Sequence, residues 1–342
     1  MEFRRLGDSG LQVSRICLGT MMFSQPTDAA EADRIVGMAR DAGINFVDTA
    51  DFYGHGGSER MLGAAIARDR DRWVVATKVG LPMGAGPHRS GLGRKWMLRA
   101  IDDSLSRLGT DHVDIWYLHT DDRTTPLEET LSAAGDAIRA GKVRYLGLSN
   151  FDGWRMVEAV RLCQRMGLPQ PIVSQPLYNL ATRGNEAEHL PACRALGLGV
   201  VPYSPLARGV LTGKYRAGAT PPAESRAGRG NKRLLETEFR PESFALAEAV
   251  RAHAAARGLT AEAFAVAWVL ANRLVTSVLA GPRTVEQWQG YLAAAAVMLD
   301  ADDEAFVDGL VAPGHASTPG YTDPSFPVRG RIVAASPSRA AS

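Results

Sequence analysis

Eight short apolar runs alternate with amphipathic stretches along most of this chain, and that rhythm restricts its fold more than any other feature. The runs are RICLGT, NFVDTA, WVVATK, VDIWYLH, VRYLGLSN, PIVSQP, GVVPYSP and TSVLAGP. Each has the length of a strand and is bounded by turn-forming residues. The segments between them carry helical spacing: in AEADRIVGMARDAG, Ile35, Val36 and Ala39 share one face. The glycines of DAG (41–43) and RAG (139–141) stand where helices end. Eight strand–helix repeats predict an α/β chain folded as a (β/α)8, or TIM, barrel. An open doubly wound sheet is the alternative, but the first run continues as ICLGTMMFSQP and lacks the GxGxxG of a Rossmann crossover.

Three segments break the rhythm. A Gly-rich loop, GLPMGAGPHRSGLGR, follows the third run, and a long polar insertion from about Leu206 to Arg240 follows the seventh. Both are expected over the open mouth, where long loops in a compact domain are usually functional. The N-terminal FRRLGDSGLQVS reads as a β-hairpin cap that turns between Gly7 and Gly10. The expected organisation is one barrel domain over 1–310 and a Pro/Gly/Ser-rich tail over 311–342. That tail either folds partly over the barrel, with Tyr321 and Phe326 as anchors, or is disordered.

Composition narrows the function classes. A net charge of +2 with no dense basic run gives no reason to expect nucleic acid or a membrane surface as partner. The three cysteines, Cys17, Cys163 and Cys193, are odd in number and widely spaced, which fits reduced thiols in a cytosol. MEFRRLGDSG has no apolar stretch of a signal peptide, and no run approaches the roughly 18 apolar residues of a membrane span. The expected location is therefore cytoplasmic. The seven histidines form no HxxxH or HExxH pattern, so no metal site is predicted, and GLSNF is not the GxSxG of a hydrolase elbow.

Asp48, Tyr53, Lys78 and His119 each stand at or just after the end of an early strand. Strand C-termini of a parallel barrel open onto one face, so the four are expected to meet there. A free phenol titrates near about 10 and is a poor acid at neutral pH. An adjacent ammonium favours phenolate, so Lys78, held by Asp48, is expected to lower the value for Tyr53. His119 could orient a carbonyl oxygen by donating a hydrogen bond. Taken singly, each residue also has a structural explanation: a buried Lys–Asp pair, a loop-capping Tyr, a satisfied His.

The motifs DTADFYG with Ser58 and Glu59, TKVG, YLHTDD, GLSNF, SQPLYN, YSPLARGVLTGKY and GPRTVEQ run in order over roughly residues 1–300. In this respect the chain resembles the aldo-keto reductases, and within them the bacterial and potassium-channel β-subunit branch. The resemblance implies reduction of an aldehyde or ketone, with Tyr53 as proton donor, Lys78 and Asp48 tuning it, and His119 placing the carbonyl. It implies NADPH/NADP+ lying across the mouth without a Rossmann fold. By the same resemblance Ser149, Asn150 and Gln175 bind the carboxamide, and Tyr203 stacks on the nicotinamide. Ser204, Leu206 and Gly209 cradle the pyrophosphate, Lys214 and Arg226 reach the phosphates, and Thr20 and Gly281 line the strand ends. Arg283, beside a helix N-terminus that suits an anion, takes the 2′-phosphate, and Gln287 touches the adenine end. Gly290 and Tyr291 replace an acidic residue and Asn of related chains, which leaves the adenine contacts open.

The resemblance leaves the substrate open. Keto-deoxysugar nucleotides, pyridoxal and general carbonyls all occur in this branch, as do NADPH-binding, redox-sensing subunits with slow or incidental catalysis. Phe23, Phe52, Trp154 and tail residues are expected to form an apolar wall. His55 and His88 lie in mouth loops, where solvated and substrate-contacting roles are both open. Oligomeric state is not readable.

Overall fold

A computed structural model describes residues 1–216 and 218–327. Two short strands, β1 (Phe3–Arg5) and β2 (Gln12–Ser14), pair antiparallel as a hairpin. Eight further strands follow: β3 (Ile16–Gly19), β4 (Phe46–Asp48), β5 (Val74–Val79), β6 (Val113–Leu118), β7 (Val143–Ser149), β8 (Pro171–Gln175), β9 (Gly199–Val200) and β10 (Val278–Ala280). Their order in the sheet is β10-β3-β4-β5-β6-β7-β8-β9, with every pairing parallel. The cylinder closes through bonds between the flanks of β9 and β10: Thr276 N–H donates to Val200 O at 2.8 Å and Leu279 N–H to Pro202 O at 3.0 Å. β9 is two residues long, and its pairing with the β8 side resumes past Pro202, where Tyr203 N–H donates to Pro176 O at 3.0 Å. These strands form the predicted (β/α)8 barrel.

Strand alternation sorts the side chains. Phe46, Val74, Ala76, Ile115, Tyr117, Val173 and Val201 fill the barrel interior. Their outward neighbours, such as Val47, Val75, Trp116 and Leu148, pack beneath the helices. Tyr117 fits because Gly147 faces it; a Cβ there would come within 2.5 Å of the ring. Each inward row continues upward to a polar residue: Phe46 to Asp48, Val74 and Ala76 to Lys78, Val173 to Gln175, Ile115 and Tyr117 to His119. A period of two therefore aims four polar side chains at one end.

The hairpin seals the other end. Leu6 and Val13 are fully buried among the interior residues. At Gly7 the backbone has φ +60°, and an added Cβ would strike the backbone of Gly197, Gly199 and Ile172. Asp8 N–H donates to Gly197 O at 2.8 Å and locks the contact.

The barrel helices are α1 (Ala29–Asp41), α2 (Gly57–Ile66), α3 (Arg94–Leu108), α4 (Leu127–Arg139), α5 (Gly153–Met166), α6 (His189–Ala195), α7 (Lys232–Thr237), α8 (Pro241–Ala256), α9 (Ala261–Ala271) and α10 (Val285–Ala294); α11 (Ala301–Leu310) follows. Asp28 caps α1 by accepting from Glu31 N–H, and Gly43 and Gly141 follow α1 and α4 at φ +76°. The insertion after β9 is less polar than its composition suggests. It holds a 3₁₀ turn, Ala207–Thr212, and α7, and it buries Leu206, Val210, Leu211, Tyr215 and Leu234. Among the described residues no single helix is long and apolar enough to cross a membrane; only α8 and α9 together pass, as a pair bent by 94°.

Beyond α11 the chain runs back across the mouth. Thr182 and Ala316 form an antiparallel bridge, and Arg183 N–H donates to His315 O at 2.8 Å. The Arg240 guanidinium lies 3.7 Å from the Tyr321 ring centre, and Arg233 Nη1 donates to Asp323 Oδ1 at 2.7 Å. The expectation for the rest of the tail falls on 328–342, outside the described residues.

Replacing Gly7 with Ala should cost about 2–4 kcal/mol, because strain at positive φ adds to a backbone clash. Urea unfolding of wild type and G7A, read by circular dichroism, checks the value.

Candidate active site

The polar ends of the inward rows meet beneath a cleft of about 990 Å³ on the strand C-terminal face. At its floor Lys78 has no exposure to solvent and ion-pairs with Asp48 Oδ1. Lys78 Nζ also donates to Thr49 O at 2.8 Å and to the Tyr53 hydroxyl at 3.4 Å, so all three of its N–H bonds have acceptors. The other Asp48 oxygen accepts from Gln175 Nε2 at 3.0 Å. The Tyr53 and His119 rings stand edge to face with centres 5.8 Å apart. Asp48, Tyr53 and His119 line the cleft; Lys78 lies under them.

Burial and charge pull these groups in opposite directions. Burial, the largest influence, lifts Asp48, while Lys78 and Gln175 draw it down. Burial alone would lower Lys78, but the Asp48 and Tyr53 charges together hold it above its ordinary value. The upward shift of Asp48 argues for a neutral pair and that of Lys78 for an ionised one. The geometry decides for the ionised pair, since both carboxylate oxygens face donors and every Lys78 N–H is used. Tyr53 departs from the sequence expectation. Burial outweighs the Lys78 ammonium and raises the phenol above its ordinary value, so it is protonated at neutral pH. Burial, assisted by Lys78, pushes His119 well below the usual imidazole range, so the ring is neutral. Its Nδ1 is buried without a partner among the described residues. A neutral phenol and a neutral imidazole on one cleft wall, above a fixed ammonium, can donate a proton and a hydrogen bond to the same oxygen.

All thirteen residues assigned from sequence to the cofactor line the cleft: Thr20, Ser149, Asn150, Gln175, Tyr203, Ser204, Leu206, Gly209, Lys214, Arg226, Gly281, Arg283 and Gln287. Their bonds refine the expectations. Asn150, at φ +57°, donates to His119 O at 2.8 Å and Ser149 Oγ at 3.1 Å, and accepts from the Tyr203 hydroxyl at 2.9 Å. Gln175 donates one amide N–H to Asp48, so it joins the buried Asp48–Lys78 network as well as the cleft wall. Ser204, Ala207, Arg208 and Gly209 all have positive φ, a run that curls the backbone toward the cleft, as anion-binding nests do.

Lys214, Arg226, Arg229 and Arg283 gather at the far end of the cleft. Among the described residues none of them has an ion-pair partner, although Glu224, Glu262 and Glu286 border the same space. Burial and the charges of Arg226 and Arg283 lower Lys214, as crowded cations must. At the N-terminus of α10, Val285 N–H donates to Glu31 Oε1 at 2.7 Å and Arg283 N–H to Gln287 Oε1 at 2.8 Å. Arg283 Nη1 also donates to Glu224 O at 2.8 Å, which ties the insertion to α10.

The apolar wall also differs from the expectation. Phe23 is fully buried in the core and Trp154 stands outside the cleft, 54% exposed. Phe52 does line it, together with Met21, Leu81 and Phe326. His55 and His88 are exposed and do not line it. Arg208, Arg229, Arg233 and Ser325 also line the cleft and were not singled out in the sequence, whereas Phe326 was expected as a tail anchor. Arg208 lies in YSPLARGVLTGKY, and Arg229 and Arg233 lie in the cationic stretch RAGRGNKR; Ser325 had no local signal.

A family model described as "Aldo/keto reductase family" matches residues 15–312. An "Uncharacterized oxidoreductase YrpG" of Bacillus subtilis (strain 168) is 40% identical over 316 residues, which cover 88% of this chain and 93% of that protein. A "Probable voltage-gated potassium channel subunit beta" of Oryza sativa subsp. japonica is 38% identical over 288 residues, 82% of this chain and 87% of its own length. An "L-glyceraldehyde 3-phosphate reductase" of Escherichia coli O157:H7 is 36% identical over 302 residues, 84% and 85% of the two chains.

Removing one partner of the buried pair should strand a charge. Lys78→Met is expected to lose about 3–5 kcal/mol of stability in urea unfolding, and K78M/D48N to recover most of it. A loss in K78M below about 1 kcal/mol would show that the pair is not ionised.

Proposed function

The chain belongs to the aldo/keto reductase family, and from that premise we propose that it reduces an aldehyde or ketone to an alcohol with NADPH. The observation that carries the reading is the Tyr53 hydroxyl on the cleft wall, 3.4 Å from a buried ammonium. The cleft suits a dinucleotide at both ends. Unpaired cations crowd one end, where only an anion relieves them, and hydrogen-bonding side chains with a flat Tyr203 ring occupy the other. Ser149, Asn150 and Gln175 would hold a carboxamide, exchanging the Tyr203–Asn150 bond for it. The positive-φ turn at 204–209 with Lys214 and Arg226 would hold the pyrophosphate, and Arg283 with Arg229 a 2′-phosphate. Thr20 and Gly281 border the space, and Gln287 with Tyr291 would face the adenine. When bound, a reduced nicotinamide supplies the hydride.

The protein supplies the proton and the geometry. His119 is neutral and fixes the carbonyl oxygen by a hydrogen bond without surrendering a proton. Tyr53, protonated through the neutral range, gives its proton to that oxygen as negative charge develops. The resulting phenolate faces Lys78, whose ammonium is anchored by Asp48 and Thr49 and needs no reorganisation. The high ground-state pKa of the phenol keeps the donor loaded, and the ammonium lowers the cost of its discharged form. Met21, Phe52, Leu81 and Phe326 exclude water and favour an apolar substrate body.

A second reading is favoured by the channel-subunit relative: an NADPH-binding regulatory subunit with slow or incidental turnover. Cofactor binding with negligible reduction of every carbonyl tried would support it.

Tyr53→Phe should lower kcat/KM for an aromatic aldehyde such as 4-nitrobenzaldehyde by about 10²–10⁴-fold, with NADPH binding by fluorescence changed little. Full turnover in Y53F would remove Tyr53 from the reaction. Arg283→Leu should weaken NADPH at least about tenfold and leave NADH nearly unchanged, because only the former carries a 2′-phosphate. Equal losses for both would move the phosphate contact elsewhere.

A further inference from the structure

Asp51 lies in the same loop as Asp48 and Tyr53, yet it is 1% exposed and does not line the cleft. Among the described residues no side chain bonds either carboxyl oxygen, and the adjacent Phe52 amide approaches without the geometry of a full hydrogen bond. Its backbone N–H donates to Lys78 O at 3.3 Å, which fixes the residue against β5. The charged groups acting on it come from every side: Glu59 on α2, Arg107 on α3 and Lys78 on β5, with Tyr53 beside it in its own loop. Both cations are already committed. Arg107 Nε donates to Glu59 Oε2 at 2.5 Å and Nη2 to Ser104 Oγ at 3.1 Å, while Lys78 is bound by Asp48 and Thr49. Glu59 in turn accepts from Thr77 Oγ1 at 2.6 Å. A carboxylate placed next to Glu59, among cations that already hold other partners, has no ion pair of its own to hold its charge.

We propose that Asp51 is a positioning residue for the carbonyl reduction proposed above: its carboxyl is neutral in the working enzyme, and its ionisation weakens Tyr53 as a proton donor. Burial first, then the Glu59 charge, push Asp51 up to about 8, and the Phe52 amide, Arg107 and Lys78 only partly offset them. An Asp51 carboxylate in turn raises the Tyr53 phenol further. The protein thus contains an acid that loses its proton just above neutrality, behind the donor it influences. Because the folded state holds this proton more tightly than the unfolded chain, its contribution to stability is full at low pH. That contribution declines as pH rises above the ordinary carboxylate range and is gone once pH has passed about 8.

Asp51→Asn keeps the shape and removes the titration. The holoenzyme and D51N are compared for NADPH-dependent reduction of 4-nitrobenzaldehyde between pH 6 and 10, with melting temperature measured across the same range. The wild type should lose roughly tenfold in kcat between pH 7 and pH 9, and D51N should lose less than about twofold. A D51N profile that keeps the wild-type fall assigns it to another group and overturns the proposal. So does a melting curve flattened in D51N with the kcat profile unmoved, which leaves Asp51 structural only. If the wild type turns over no carbonyl, the proposed reaction fails separately. The coupling is then read from the phenolate absorbance of Tyr53, taken as the difference between Y53F and its parent in wild-type and D51N backgrounds. A lower Tyr53 midpoint in D51N supports the proposal, and an unchanged midpoint overturns it.

Discussion

A lysine ammonium sealed beneath the barrel mouth is the constraint around which the site is arranged. Lys78 cannot reach water, so Asp48, the Thr49 carbonyl and the Tyr53 hydroxyl must satisfy all three of its N–H bonds. Those demands fix the loop after β4, and with it the direction of Tyr53. Gln175 closes the other side of Asp48 and couples β8 to β4 across the barrel. An exposed pair would be worth little; buried, it is a rigid electrostatic element that any neighbouring proton transfer must feel.

In the proposed reaction the site separates two influences on one phenol. Burial keeps Tyr53 protonated, and the ammonium stands ready for the charge left after the proton goes. A site that simply lowered the phenol pKa would empty the donor before the substrate arrived. His119 follows the same logic from the other direction: burial and Lys78 hold it neutral, so in the proposed reaction it would bind an oxygen without competing for the proton. Catalytic groups whose environments push their pKa values apart in this way divide their labour without changing residue type.

Much of this was legible in the sequence because strands alternate. Once NFVDTA, WVVATK and VDIWYLH are read as parallel strands, a period of two places Asp48, Lys78 and His119 in one inward row above Phe46, Ala76 and Tyr117. The residues expected to hold a cofactor do line the cleft, because the motifs that carry them follow strand ends. The mouth was legible in outline: the insertion was expected over it, and the tail, as one of two outcomes, with Tyr321 and Phe326 as anchors. The contacts that hold the tail there were not, because Arg233–Asp323 and Arg240–Tyr321 join segments far apart in the chain and no local pattern encodes such pairings. Phe23 was misread as a mouth residue because an aromatic beside a strand end looks the same whether the turn aims it inward or outward. The acidity of Tyr53 was misjudged for a related reason: sequence shows the charges near a group but not how deeply it is buried.

The central claim is that hydrogen arrives at the substrate from two places, as hydride from the cofactor and as a proton from Tyr53. Reduction of 4-nitrobenzaldehyde with NADPH stereospecifically deuterated at C4, followed by proton NMR of the alcohol, tests this directly. One isotopic form of the cofactor should place a single deuterium on the carbinol carbon, while reaction in D₂O with unlabelled NADPH places none there. Deuterium entering that carbon from solvent would contradict direct transfer and the account built on it.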